Sequence, residues 1–202
     1  MAIGVILAGG LARRMGGGDK SLNILGDIPI LDRVIERLRP QVDEILLNAN
    51  GDPARFAGHG LPVIADPLPD YPGPLAGVLA GLDAAAERGA SHIVTVAADT
   101  PFFPETLAQR LTAAAEAQAT PIALAATPGD GRTIRHPTFG LWPVALRDDL
   151  RAALQDGTRK VVLWTDRHGA ATALFPADPF DPFFNINTPE DLARAEAMLE
   201  AM

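Results

Sequence analysis

The sequence predicts an α/β fold built on a mostly parallel sheet. Short apolar runs alternate with longer segments of helical period, which is the pattern of successive βαβ units. The apolar runs also end repeatedly in glycine or in a hydrogen-bonding side chain, as strands do when their tips border a ligand crevice. At 202 residues the chain exceeds the commonest domain size, yet α/β folds of this length often enclose one core, so a single domain spanning 1–202 is expected.

Strands are expected at Ile3–Ala8, Glu44–Asn48, Pro62–Ala65, His92–Ala97 and Ile122–Ala126. Between them, Leu31, Val34, Ile35 and Leu38 recur at i, i+3, i+4 and i+7, with Pro40 ending the helix. Leu75, Val78, Leu79 and Leu82 repeat that spacing, with Pro74 at a first helical position and Gly89 as the stop. A third helix starts at Pro104 and runs through Leu107 and Leu111. Beyond Thr127 the pattern loosens. Thr138–Trp142 alternates like a strand, Val144–Leu154 reads as helix, Lys160–Thr165 fits either, and Ala171–Phe175 reads as strand. After the proline-rich stretch 176–182, Thr188 caps a last helix, with Pro189 in its first turn, Asp191 in the capping-box position and Leu192, Ala195 and Leu199 on its apolar side.

Composition narrows the function. The chain is 48% hydrophobic and 21% charged, ordinary for globular proteins. Its net charge of -8 and pI near 4.9 disfavour a general nucleic-acid or anionic-membrane surface, so any anion must be drawn by a local feature. Without cysteine there is no disulfide, thiolate metal site or cysteine nucleophile. The apolar start has no basic segment before it and breaks at Gly9-Gly10, so it reads as a buried strand rather than a signal peptide or membrane span, and cytoplasm is the expected compartment.

In an open parallel sheet, ligands bind outside the carboxyl ends of the strands. Those ends here carry Gly9-Gly10, Asn48, Asp66 and Asp99. The stretch "LAGGLARRMGGGDKS" from Leu7 to Ser21 combines glycines, whose amides can approach an anion closely, with Arg13, Arg14 and Lys20; a phosphate chain fits it. It is neither a Walker A loop, since Asp19 separates Gly18 from Lys20, nor G-x-G-x-x-G. The same composition also suits a solvated turn. Asp99, facing that loop, suits a Mg²⁺ shared with substrate phosphates, because Mg²⁺ takes one or two carboxylates and keeps several waters; an Asx turn or helix cap would use aspartate equally well. The stiff segment "DPLPDYPGPLAG", Asp66 to Gly77, could hold a base or sugar, or simply start the next helix. The four histidines show no metal-ligand spacing, and Trp142 and Trp164 are expected to pack a core.

Taken together, "LAGGLARRMGGGDKSL", Asn48, "ADPLPDYPGPLAGVLAGL", "AADTPFFP", "HPTFGLW" and "NINTPEDL" resemble the molybdenum cofactor guanylyltransferases, within the glycosyltransferase-A-like nucleotidyltransferases. The likeness spans nearly the whole chain in order. Gly18 fills a variable position, and no residue expected to do chemistry departs from the pattern.

The resemblance implies a three-layer α/β/α Rossmann-like fold with a nucleotide-binding half near 1–100 and an acceptor-binding half near 101–202. It implies transfer of GMP from GTP to the terminal phosphate of molybdenum-molybdopterin, with release of pyrophosphate. Leu7, Ala8, Gly9, Gly10 and Arg14 would line the nucleotide, Lys20 contact its phosphates, Asn48 and Asp66 the nucleoside, and Asp99 the nucleotide and Mg²⁺. Lys20 and Asp99 would carry the catalysis, while Asn185 and Asn187 would meet the pterin acceptor. The expected protein is a monomer acting on these two small molecules, with transient contact to molybdoenzymes or their chaperones. Three other readings stay open: a cytidylyltransferase on the same cofactor, a sugar-phosphate nucleotidyltransferase, and a non-catalytic nucleotide or molybdopterin carrier.

Overall fold

The computed structural model describes residues 2–8, 19–68 and 73–201. Its strands are β1 Ala2–Leu7, β2 Ile24–Leu25, β3 Ile28–Pro29, β4 Glu44–Asn48, β5 Val63–Ile64, β6 His92–Ala97, β7 Ala123–Gly129, β8 Arg132–Pro143 and β9 Ala171–Leu174. Its α-helices are α1 Ile30–Leu38, α2 Pro74–Glu87, α3 Leu107–Ala117, α4 Arg147–Gln155, α5 Val161–Thr165 and α6 Pro189–Glu200. A seven-stranded sheet runs β5-β4-β1-β6-β8-β7-β9, in which β8 alone is antiparallel to its neighbours. A two-stranded sheet joins β2 and β3.

β1 is paired on both edges and covered on both faces, which is why "AIGVIL" is almost uninterruptedly apolar instead of alternating. Ile3 and Val5 belong to one core and Ile6 to the other, as the two-residue period of a strand requires. One face of the sheet is covered by α1 and α3 through Leu31, Val34, Leu38, Leu107 and Leu111. The other is covered by α2, α4 and α5 through Leu75, Val78, Leu82, Leu150 and Val161. Each such fully buried aliphatic side chain contributes roughly 1.5–3 kcal/mol, as an upper estimate. A smaller third cluster packs Leu25 and Ile30 against Phe102, Ile186 and Ala195 of α6, and so fastens the end of the chain beside the tip of β6.

Trp142 and Trp164 pack the core as expected. Both are fully buried, their rings lie 6.2 Å apart, and their indole N–H groups donate to Thr95 Oγ1 and Asp149 Oδ1, each at 2.8 Å. The helices expected around Leu31 and Leu75 form with their proline and glycine stops close by, and the ambiguous segment before Asp166 is helical. The helix expected from Pro104 begins at Leu107, after a turn in which Leu107 N donates to Pro104 O. The helix expected from Val144 opens as a 3-10 turn and becomes α4 at Arg147.

The largest difference is β8, which starts six residues before the expected Thr138. The register pairs Thr127–Gly129 with Arg132–Ile134 in an arm beyond the reach of β6 and β9. Apart from Thr127 the arm is exposed or half-buried, so it has no apolar alternation to read. The two-residue strands β2 and β3 are too short to leave a periodic signal.

At the start of α6, Thr188 Oγ1 accepts from Asp191 N at 3.1 Å and Asp191 Oδ2 accepts from Thr188 N at 3.1 Å, a reciprocal capping box. Replacing Thr188 by Ala is expected to cost about 1 kcal/mol and lower the melting temperature by roughly 2–4 °C, measured by thermal denaturation. An unchanged melting temperature would show that the box is energetically idle.

Candidate active site

The winding of the sheet reverses between β1 and β6: from β1 the chain steps outward to β4 and β5, then returns to the far side of β1 as β6. Ligand crevices of open α/β sheets form at the carboxyl ends of such a reversal. Here the strands stay paired to their last residues. Ala8 N donates to Asn48 O at 2.8 Å and Ala98 N to Leu7 O at 3.1 Å, so Leu7 and Ala8 lie between Asn48 on one side and Ala98–Asp99 on the other.

On the β4 side, Asn48 is buried, and its Nδ2 donates to Asp66 Oδ1 at 2.9 Å and to Ile64 O at 3.3 Å. The other carboxylate oxygen of Asp66 accepts from Asn50 Nδ2 at 2.7 Å, while Asp66 N donates to Asn50 Oδ1 at 2.9 Å. The first turn of α2 closes over this group. A Cβ at Gly77 would fall 2.2 Å from Asn48 Oδ1 and 2.8 Å from Leu7 Cδ2, so glycine in "GPLAG" is what lets the helix approach.

On the β6 side, the Thr100 hydroxyl lies 3.1 Å from Asp99 Oδ1 and 2.5 Å from Asn185 Oδ1, and its single proton can serve one of the two acceptors at a time. Ile186 N donates to Asp99 O at 2.9 Å, docking 185–187 onto the strand tip. Lys20 Nζ donates to Asn187 Oδ1 at 3.0 Å, and its charge acts on Asp99. Beside this segment, His136 on β8 stacks on Phe183 at 4.3 Å, with its Nε2 2.8 Å from Thr127 Oγ1. Burial lowers the His136 pKa and keeps the ring neutral at neutral pH, although Asp181 pulls the other way.

The residues expected from the sequence thus gather in two linked groups flanking Leu7 and Ala8: Asn48 with Asp66, and Asp99 with Lys20, Asn185 and Asn187. Gly9, Gly10 and Arg14 lie outside the described residues. Asn50 and Thr100 escaped the sequence reading. Asn50 stands two residues past Asn48, a spacing that could have marked it, and Thr100 follows Asp99 directly.

Burial pushes the Asp99 carboxyl above its usual range, while the Thr100 hydroxyl, its own backbone amide and the Lys20 charge pull it back down. A carboxylate held at such a cost is a fitting partner for a bound cation. Among the described residues no group of three or more His, Cys, Asp or Glu could hold a metal alone, so a cation at Asp99 would draw its other oxygens from water and substrate, the habit of Mg²⁺.

Fold and site together define a class, the nucleotidyltransferase-like α/β proteins. 4-Diphosphocytidyl-2C-methyl-D-erythritol synthase from Anaerococcus prevotii shares the fold, with a TM-score of 0.74 at 14% identity over 98% of both chains. The family model of the MobA-like NTP transferase domain matches residues 4–170, and the chain belongs to that family. It is 54% identical to the molybdenum cofactor guanylyltransferase of Bradyrhizobium sp. (strain ORS 278), covering 96% of this chain and 92% of that protein. It is 55% identical to that of Rhodopseudomonas palustris (strain BisB5), covering 95% and 91%. The crystal structure of molybdopterin-guanine dinucleotide biosynthesis protein A from Archaeoglobus fulgidus aligns over 100% of both chains with a TM-score of 0.74 and 25% identity.

The raised Asp99 pKa fixes a sign. A carboxyl whose folded pKa lies above its unfolded value favours the fold below the unfolded pKa, near 3.9, and loses that advantage as pH rises through the folded pKa. Asp99→Asn is therefore expected to raise the melting temperature of the ligand-free protein at neutral pH, with the difference shrinking as pH falls to about 4. Melting curves across pH check it, and an Asp99→Asn protein less stable at pH 7 would contradict it.

Proposed function

We propose that this protein transfers GMP from GTP to the terminal phosphate of molybdenum-molybdopterin, releasing pyrophosphate and forming the guanine dinucleotide form of the cofactor. The observation that carries the reading is the arrangement at the mouth of the sheet: Lys20 and Asp99 both reach 185–187, and Asn48 with Asp66 stands across Leu7 and Ala8. The names of the full-length relatives support the choice of substrate.

In this reading Asn48 and Asp66 hold the nucleoside. Guanine presents N1–H and N2–H₂ donors that a carboxylate can accept, and Asp66 is held for this by Asn48 and Asn50. Leu7, Ala8, Gly9, Gly10 and Arg14 line the nucleotide, where backbone amides and an arginine charge would suit phosphate. Lys20 exchanges its bond to Asn187 for a phosphate oxygen of GTP, which frees Asn187 and leaves it beside Asn185 to meet the acceptor.

The acceptor phosphate is already anionic. It needs no base and attacks the α-phosphorus in line with the leaving pyrophosphate, so no side chain is a nucleophile and no covalent intermediate forms. The residues align two anions and offset charge as it shifts onto pyrophosphate, which is the part of Lys20 and the amides of 9–18. Asp99 would hold Mg²⁺, which when bound supplies Lewis-acid charge neutralisation at the phosphates. Thr100 keeps one Asp99 oxygen oriented.

The chain works as a single domain, with the nucleotide on residues 1–100 and the acceptor on 101–202. It acts in the cytoplasm as a monomer whose product passes to molybdoenzymes or their chaperones through transient contact. With a net charge of -8 its surface does not suit nucleic acid, and none of its described helices is long and apolar enough to cross a membrane.

Lys20→Ala and Asp99→Ala are each expected to slow pyrophosphate release from GTP, Mg²⁺ and acceptor by about 10²–10³-fold, the scale of one lost preorganised charge contact. Near-normal turnover in a correctly folded variant removes that residue from the chemistry. In a competition titration GTP should displace CTP; the reverse order would assign a cytidylyltransferase, and binding without pyrophosphate release a carrier.

A further inference from the structure

Arg55 lies in the 3-10 helix Pro53–His59, outside the strand tips, yet each nitrogen of its guanidinium donates a hydrogen bond. Its Nε donates to the carboxylate of Asp19, its Nη1 to Asp52 O at 2.7 Å and its Nη2 to Asn50 O at 2.6 Å. Its plane lies over the buried ring of Phe56, 4.6 Å from the centroid. Arginine side chains near a surface lose much rotamer freedom to be held this way, and a planar fork meeting three oxygen acceptors is what only guanidinium can supply.

The backbone is shaped to allow it. Gly51 has φ +85, a left-handed conformation that suits glycine, and a Cβ there would stand 3.2 Å from Arg55 Nη1.

What Arg55 joins gives the contact meaning. Asp19 immediately precedes Lys20, and Asn50 is the residue whose amide grips Asp66. An unbroken chain of polar contacts therefore runs Asp19, Arg55, Asn50, Asp66, Asn48, from the phosphate lysine to the nucleoside pocket.

We infer that Arg55 is a positioning residue that sets the distance between the phosphate end of the nucleotide site, at Lys20, and its nucleoside end, at Asn48 and Asp66. The inference rests on the nucleotide reading proposed above. A ligand that spans two subsites binds more tightly than its halves only while the subsites keep the spacing the ligand demands. Arg55 also offsets the charge of Asp19, which would otherwise face the incoming phosphates.

The test compares the whole ligand with its halves. Kd values for GTP, guanosine and inorganic pyrophosphate are measured by calorimetric or competition titration on the wild type, Arg55→Lys and the doubly substituted Asp19→Asn/Arg55→Gln, with melting temperatures alongside. Both variants leave no uncompensated carboxylate at position 19, but neither keeps the three-way fork. GTP is expected to weaken by about tenfold, the scale of one charge-assisted hydrogen bond, while guanosine and pyrophosphate stay within about twofold of the wild type.

Unchanged GTP affinity in both variants overturns the inference. So does a parallel loss for all three ligands together with a lowered melting temperature, since that is what mere destabilisation produces. If the wild type itself fails to bind GTP, the proposed function falls and the role of Arg55 falls with it.

Discussion

The carboxylate of Asp99 stands at the carboxyl end of the central strand β6, where burial disfavours its charge, and the surrounding structure keeps that charge in place and usable. β6 carries it to the mouth of the crevice with backbone pairing unbroken to Ala97, and the docked amide of Ile186 fixes its carbonyl. Thr100 binds one oxygen, and Lys20 supplies opposite charge from across the opening. A cation or phosphate arriving here meets groups already gathered at the strand tips. The ligand-free protein bears that cost in stability, and a bound cation relieves it.

Much of the fold is legible in the sequence because most elements face a core. β1, β4, β6 and α1 each carry a pattern dictated by what they bury, and α6 carries its capping signature in Thr188 and Asp191. The failures fall where no core imposes a pattern. The β7–β8 arm is paired only with itself. β8 runs antiparallel inside an otherwise parallel sheet, which no local pattern announces, because direction is set by the connections and not by the strand's own residues. The sequence of α2 shows a single apolar stripe, but the helix is buried on most of its surface between the sheet and α4, as its excess of alanine, leucine and glycine allows.

The candidate site was legible to the extent that chemistry sits at strand tips. Asn48, Asp66 and Asp99 each end or follow an apolar run, and a reader who knows the crevice rule can mark them. What supports them was not legible. Asn50, Thr100 and Arg55 act through other side chains, and their partners lie 16, 85 and 36 positions away in the chain. Only folding brings such pairs together. His136 is partly buried and stacks on Phe183, two residues before Asn185, so a structural part is what its contacts support.

Two anionic substrates on a chain of net charge -8 pose a problem of approach, which the layout answers locally. The acidic surface repels phosphates at long range, and within about 8–10 Å, where screening at physiological salt is incomplete, attraction must come from the crevice itself. Lys20 is the described cation at its centre, and it is bonded to Asn187, a side chain proposed for the acceptor. In the proposed reading GTP draws the lysine from Asn187, so occupation of the nucleotide side would change what the acceptor side presents. Asp99 couples to the same segment through Thr100 and Asn185. On that proposal the two substrate sites share charged groups, which would favour chemistry only when both substrates are in place. A pure binding module would gain nothing from such sharing, because holding one ligand does not require its contacts to be wired to the site of another.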